Sequence, residues 1–248
     1  MRHRIAIAIA LLLLGVAPSF AQAAEGRSLG GIGANPKGAL EGEPPTLPPG
    51  VEVLPIRGFL EKLLADFTPD PNDNCNETHR PHGSGGLVRV CIGFRYLPPP
   101  GSAPQGTPIR IVIPGGTTVR ANKIGYQHGL LTESLEVIIR PGEVIYIPAF
   151  FYCLNPGLHA SEPGVPYSLG PVLKDREFSK LVALTRNKAV DAEQAGKIQA
   201  IVGELSDGGN LSDADKAFIQ SLPDRPAGPL ERIDDAASAG RVVSRPGG

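Results

Sequence analysis

The chain has 248 residues, 41% hydrophobic and 20% charged, with a formal net charge of −1. That balance, with no basic stripe or acidic block, leaves no electrostatic footprint for nucleic acid. The 31 Gly and 26 Pro exceed average usage and cluster in segments too poor in apolar surface to offset chain entropy, so the ordered core is smaller than the chain.

The N-terminus reads "MRHRIAIAIALLLLGVAPSFAQAAEG". Arg2 and Arg4 precede an apolar run over residues 5–16, and small residues at Ala21 and Ala23 follow. This predicts a signal peptide over residues 1–23, with a secreted or periplasmic mature chain. A membrane anchor is the alternative, but the run is shorter than the ~20 residues that span a bilayer. No second run is long enough, so no transmembrane segment is expected after signal removal.

Residues 24–56 read as a Pro/Gly-rich N-terminal arm, flexible in the isolated protein. Then "RGFLEKLLADF" carries Phe59, Leu60, Leu63, Leu64 and Phe67 at helical spacing, which predicts a short helix. A long loop over residues 68–86 follows. "LVRVCIGFRYL" alternates, with Val88, Val90, Ile92, Phe94 and Tyr96 on one face and Arg89, Cys91 and Arg95 on the other. Strands are also predicted over residues 109–113, 117–121, 135–139 and 143–147, punctuated by Pro-Gly-Gly and Arg140-Pro141-Gly142 turns. From residue 175 the period becomes helical. Three amphipathic segments run to residue 223, the last opened by Ser212 with Asp215 three positions on and stopped by Pro223.

The predicted class is α+β. An antiparallel β-sandwich-like core with a leading short helix (residues 57–174) is followed by a small helical subdomain (residues 175–223) and a flexible tail (residues 224–248).

Three cysteines in an oxidising compartment imply one pair and one leftover. A Cys75–Cys91 bridge would pin the long loop to the sheet and is favoured; Cys91–Cys153 is the alternative. "CNETHRPHG" also offers Cys75, His79 and His82 at spacings that could share copper or zinc, with no fourth ligand evident. "DPNDN" at residues 70–74 fails the calcium-loop pattern, because Cys75 stands where glycine is needed.

Two resemblances arise further on. Gly142, five residues, then Pro148 ahead of Cys153 resembles a cupin half-motif, with His128 and Glu133 upstream. It implies a cupin-like enzyme using His and Cys ligands. Tyr152-Cys153 together with "IQAIV" at residues 198–202 resembles the thioester domains of bacterial surface adhesins. That likeness implies an internal thioester between Cys153 and Gln199 that reacts covalently with amines. An ordinary amphipathic helix accounts for the same five residues.

No Gly-x-Ser-x-Gly elbow, phosphate-cradling glycine loop or His-Glu-x-x-His helix occurs, and nothing calls for a cofactor. The first expectation is therefore a non-enzymatic structural or binding module. It would be an accessory subunit or surface-associated protein, with another protein or a cell-surface component as partner.

Overall fold

The computed structural model describes residues 29–58, 75, 82–101 and 107–225. In chain order the strands are β1 (Gly42–Glu43), β2 (Val51–Val53), β3 (Ile56–Gly58), β4 (Val88–Tyr96) and β5 (Ile109–Ile113). Then come β6 (Thr117–Ala121), β7 (Gly129–Leu130), β8 (Leu135–Ile139), β9 (Val144–Cys153) and β10 (Pro166–Leu173). Three helices follow: α1 (Arg176–Thr185), α2 (Ala192–Ser206) and α3 (Asp213–Ser221).

The long pair β4 and β9 organises the sheet. They run antiparallel in register from Val88 opposite Phe151 to Arg95 opposite Val144. Alternation puts Val88, Val90, Ile92 and Phe94 beside Ile145, Ile147, Ala149 and Phe151 in one apolar interior. The strand order β10-β3-β4-β9-β7-β6 closes when β10 also pairs with β6, giving a six-stranded barrel. β1 adds to β10, β2 adds to β4, and β5 with β8 forms a separate two-stranded sheet. The fold is thus mostly antiparallel β with three short helices, α+β in class. Among the described residues no helix is long and apolar enough to cross a membrane.

The helices sit where the 3.6-residue period puts them. Ile198, Ile201, Val202 and Leu205 of α2 are buried, as are Phe178 and Leu181 of α1. They form a second core with Tyr152, Leu154 and Leu173, on the outer face of β9 and β10. Capping boxes, Asp191 with Gln194 and Ser212 with Asp215, satisfy the first free N–H groups of α2 and α3. The Glu133 carboxylate, only 5% exposed, is paired with Arg225 at the end of the described chain.

Several expectations are corrected. Residues 29–58 are not a loose arm: Ile32 is buried in the core that the helices share with Tyr152 and Leu154, and β1, β2 and β3 are ladder-paired. Their prolines fall outside the paired stretches, so composition hid three short strands. Arg57 and Gly58, expected to open a helix, belong to β3; the remainder of that predicted helix and the 226–248 tail lie outside the described residues. β9 also runs straight through Pro148. The Pro148 carbonyl faces His82, whose N–H donates to it at 2.9 Å, so the missing Pro N–H faces away from β4 and no ladder bond is lost.

Cys75 and Cys91 sit at disulfide distance, with Cα atoms 5.7 Å apart, against Tyr146 and Phe150 on the outer face of the barrel. A 16-residue separation makes such a crosslink worth about 3 kcal/mol in the chain-entropy model. Cys75→Ala with Cys91→Ala is expected to lower the urea-unfolding free energy by about that amount. An unchanged midpoint on reduction of the wild-type protein would count against the bridge.

Candidate functional site

Cys153 is the last residue of β9, and β geometry fixes what surrounds it. Side chains alternate, so the Cys153 thiol lies on the barrel side with Ala149 and Phe151, while Tyr152 and Leu154 face the helices. Peptide groups alternate too. The N–H groups of Phe150 and Leu154 point one way, donating to the His82 carbonyl at 2.8 Å and the His128 carbonyl at 3.0 Å. The N–H and C=O of Cys153 therefore point the other way, toward β4. But β4 stops at Val88, opposite Phe151, so no strand meets Cys153 on that side, while β7 flanks it on the other with Gly129 opposite.

Gln199 fills that gap. The Cys153 N–H donates to Gln199 Oε1 at 2.8 Å, and Gln199 Nε2 donates to the Cys153 carbonyl at 3.0 Å. These residues are 46 apart in sequence. Helix α2 brings them together: Ile198 and Val202 pack into the core shared with Tyr152 and Leu154, and Gln199 flanks that stripe, half-buried. Two convergent bonds hold the carboxamide on the backbone of the residue that carries the thiol.

The other side of the cysteine is closed by Asn155, which is wholly buried. Its N–H donates to Cys153 Sγ at 3.3 Å. Its Oδ1 accepts from the His128 N–H at 2.8 Å, and its Nδ2 donates to the Gly31 and Gly33 carbonyls at 3.0 and 3.2 Å. The Gly33 N–H returns a bond to the Leu154 carbonyl at 2.9 Å. The N-terminal segment is thereby latched onto the strand end that carries the thiol. Asn155 is readable in the sequence only as a turn residue before Pro156-Gly157; that its amide ties together two distant segments, at His128 and at Gly31–Gly33, has no sequence signal.

Cys153 is 2% exposed, and burial pushes its thiol up to about 11, the Asn155 N–H offsetting part of this. At pH 8 the thiolate fraction is then about one in a thousand. In a Gln199→Ala protein, iodoacetamide is expected to alkylate folded Cys153 about 100-fold more slowly at pH 8 than an unhindered cysteine, accelerating as pH rises toward 11. Alkylation at the rate of a small thiol would contradict this environment.

The other candidates fare differently. Cys75, at bonding distance from Cys91, has no thiolate to offer a metal; His79 lies outside the described residues, and His82 bridges to Ala149. Among the described residues no three His, Cys, Asp or Glu side chains are grouped to hold a metal ion. Of the cupin-like pair, His128 accepts the Ala121 N–H on Nδ1 at 3.1 Å, and Glu133 is engaged by Arg225. Burial, then the nearby Arg120 charge, lowers the His128 pKa and keeps the ring neutral.

No family model, curated protein or solved structure matches this chain. Its chemistry is therefore read from the site itself, where the structure brings two of the sequence candidates, Cys153 and Gln199, into contact.

Proposed function

We propose that the chain is a secreted or periplasmic, surface-associated binding module whose capture step is covalent, through a thioester between Cys153 and Gln199. The observation that carries this reading is the Gln199 carboxamide held by two hydrogen bonds on the backbone of Cys153, the one cysteine outside the Cys75–Cys91 pair. The likeness of Tyr152-Cys153 and "IQAIV" to bacterial adhesin thioester domains supports it, as does the signal-like segment over residues 1–23.

The chemistry balances without a cofactor. Cys153 sulfur attacks the Gln199 carboxamide carbon, the S–C bond forms, the C–N bond breaks, and ammonia leaves with the thiol proton. A partner's primary amine then attacks the same carbon, forming an amide and returning the proton and electron pair to Cys153 as thiol. Once the thiol turns onto the carboxamide in a near-attack geometry, the first step gains the advantage of an intramolecular reaction, with an effective molarity on the order of 10⁵ M or more. Burial keeps water from the product. Each molecule would react once, so this is a capture module and not a turnover enzyme.

Incubation with a fluorescent alkylamine tests the proposal. Label retained after boiling in denaturant, on the peptide containing Gln199 and lost in Cys153→Ala, is the expected result. Absence of label from folded wild-type protein at millimolar amine contradicts it.

A further inference from the structure

The barrel end that receives the Cys153 thiol holds a second, unexplained polar group. Tyr167 lies on β10, the strand that closes the ring, paired with Ile56 on one side and Ala121 on the other. It is 4% exposed and packs in the barrel core with Tyr126 and Val165. Its hydroxyl has no hydrogen-bond partner among the described residues, a state shared there by one other buried side-chain atom, Gln127 Oε1. Buried hydroxyls are nearly always paired, and an orphan needs a reason.

Its surroundings supply one. In the six-stranded ring β9 and β10 stand three strands apart either way, so the inward side chains of Cys153 and Tyr167 face each other across the interior. The register Cys153–Gly129–Val119–Leu169 sets them within two residues of one level. Burial pushes the Tyr167 phenol up, and negative charge at Tyr126, Cys153 or Glu162 would push it further. The phenol therefore stays neutral and keeps its proton to donate. The Glu162 carboxylate is already served, by the Tyr126 hydroxyl at 2.6 Å. Cys153 Sγ is served by the Asn155 N–H. An acyl group on Cys153 would add what is missing, a carbonyl oxygen beyond the sulfur, on the barrel side where Tyr167 sits.

We infer that the Tyr167 hydroxyl is the hydrogen-bond donor for the acyl oxygen carried on Cys153, stabilising it as charge develops during amine capture. This rests on the thioester reading. When the amine nitrogen attacks the acyl carbon, the carbonyl electron pair moves onto the oxygen, where the Tyr167 O–H bonds it. Collapse restores the carbonyl, breaks the C–S bond and leaves the proton from the amine on the departing sulfur. Preorganised donors at such a position act most strongly in a water-poor site, and losing one costs about 10²–10³ in rate.

The test compares full-length wild type, Tyr167→Phe and Tyr126→Phe for the rate of methylamine coupling by intact mass, alongside thermal midpoint. Tyr167→Phe is expected to slow coupling about 100-fold with an unchanged or raised midpoint, since the orphan hydroxyl contributes no bond to the uncoupled fold. Tyr126→Phe, which removes a hydroxyl already committed to Glu162, should couple within a few-fold of wild type. Equal rates in Tyr167→Phe and wild type would overturn the inference. So would equal slowing in both variants, or slowing that tracks a fallen midpoint. If wild type itself fails to couple, the thioester reading fails first, and this inference with it.

Discussion

Gln199→Ala is expected to abolish covalent amine capture completely while leaving the protein folded. The carboxamide is the proposed acyl donor, so its removal leaves Cys153 a plain buried thiol. The structural cost is small by comparison. The two bonds it makes close the open edge of β9 beyond the end of β4. Such bonds contribute about 0.5–1.5 kcal/mol each, and water can replace a half-buried partner, so about 1–2 kcal/mol of stability is at stake. Amine labelling and urea titration on the same sample separate the two roles. A Gln199→Ala protein that still captures amines would mean that the acyl group comes from elsewhere. A wild type that never captures them would leave Gln199 as an edge cap and no more.

The second large effect is expected at Asn155. One buried side chain serves His128, Gly31 and Gly33 and sits next to the thiol it also contacts through its own N–H. Alanine leaves a buried donor and two carbonyls without their partner. Each abandoned group costs about 1–3 kcal/mol unless water reaches it. With partial relaxation the total is about 3 kcal/mol, large against the 5–15 kcal/mol of a typical domain. The N-terminal segment should loosen first. Limited proteolysis of Asn155→Ala is expected to cut within residues 29–40 before the barrel is attacked, and urea unfolding should begin earlier. Wild-type proteolysis and an unshifted urea midpoint would remove Asn155 from this role.

Where the chain obeys one period, the sequence was legible. β4 alternates because one face lines the barrel, where Val88, Val90, Ile92, Phe94 and Tyr96 are all buried, while on the other face Arg89 and Arg95 are half-exposed and Cys91 and Gly93 are covered. The stripes of α1 and α2 were equally plain, since a single face packs against β9 and β10. The strands without a sequence signal are two or three residues long, or, like β10, interrupted by Gly170 and Pro171 with a register shift against β6. Their pairing is decided by closure of the ring, a long-range event with no local signature. The strand expected over residues 143–147 falls short of the observed Val144–Cys153 for a related reason. A proline is excluded only where its N–H is needed, and which side each peptide faces depends on partners far along the chain.

The site divides the same way. Tyr152-Cys153 and "IQAIV" could be singled out as motifs, but contact between them depends on α2 folding back over the end of β9. Asn155, Tyr126, Glu162 and Tyr167 carry no motif at all. They are polar residues made unusual by burial, which only the fold reveals. His128 and Glu133, by contrast, stood out in the sequence, and each is occupied by a structural partner.

The central claim is a bond between Cys153 and Gln199, and intact-protein mass under denaturing, non-reducing conditions tests it most directly. The account predicts wild-type protein lighter by one ammonia than its sequence with the Cys75–Cys91 pair oxidised, and Cys153→Ala and Gln199→Ala at full mass. Wild-type protein at full mass, with Cys153 alkylated stoichiometrically once unfolded, would contradict it.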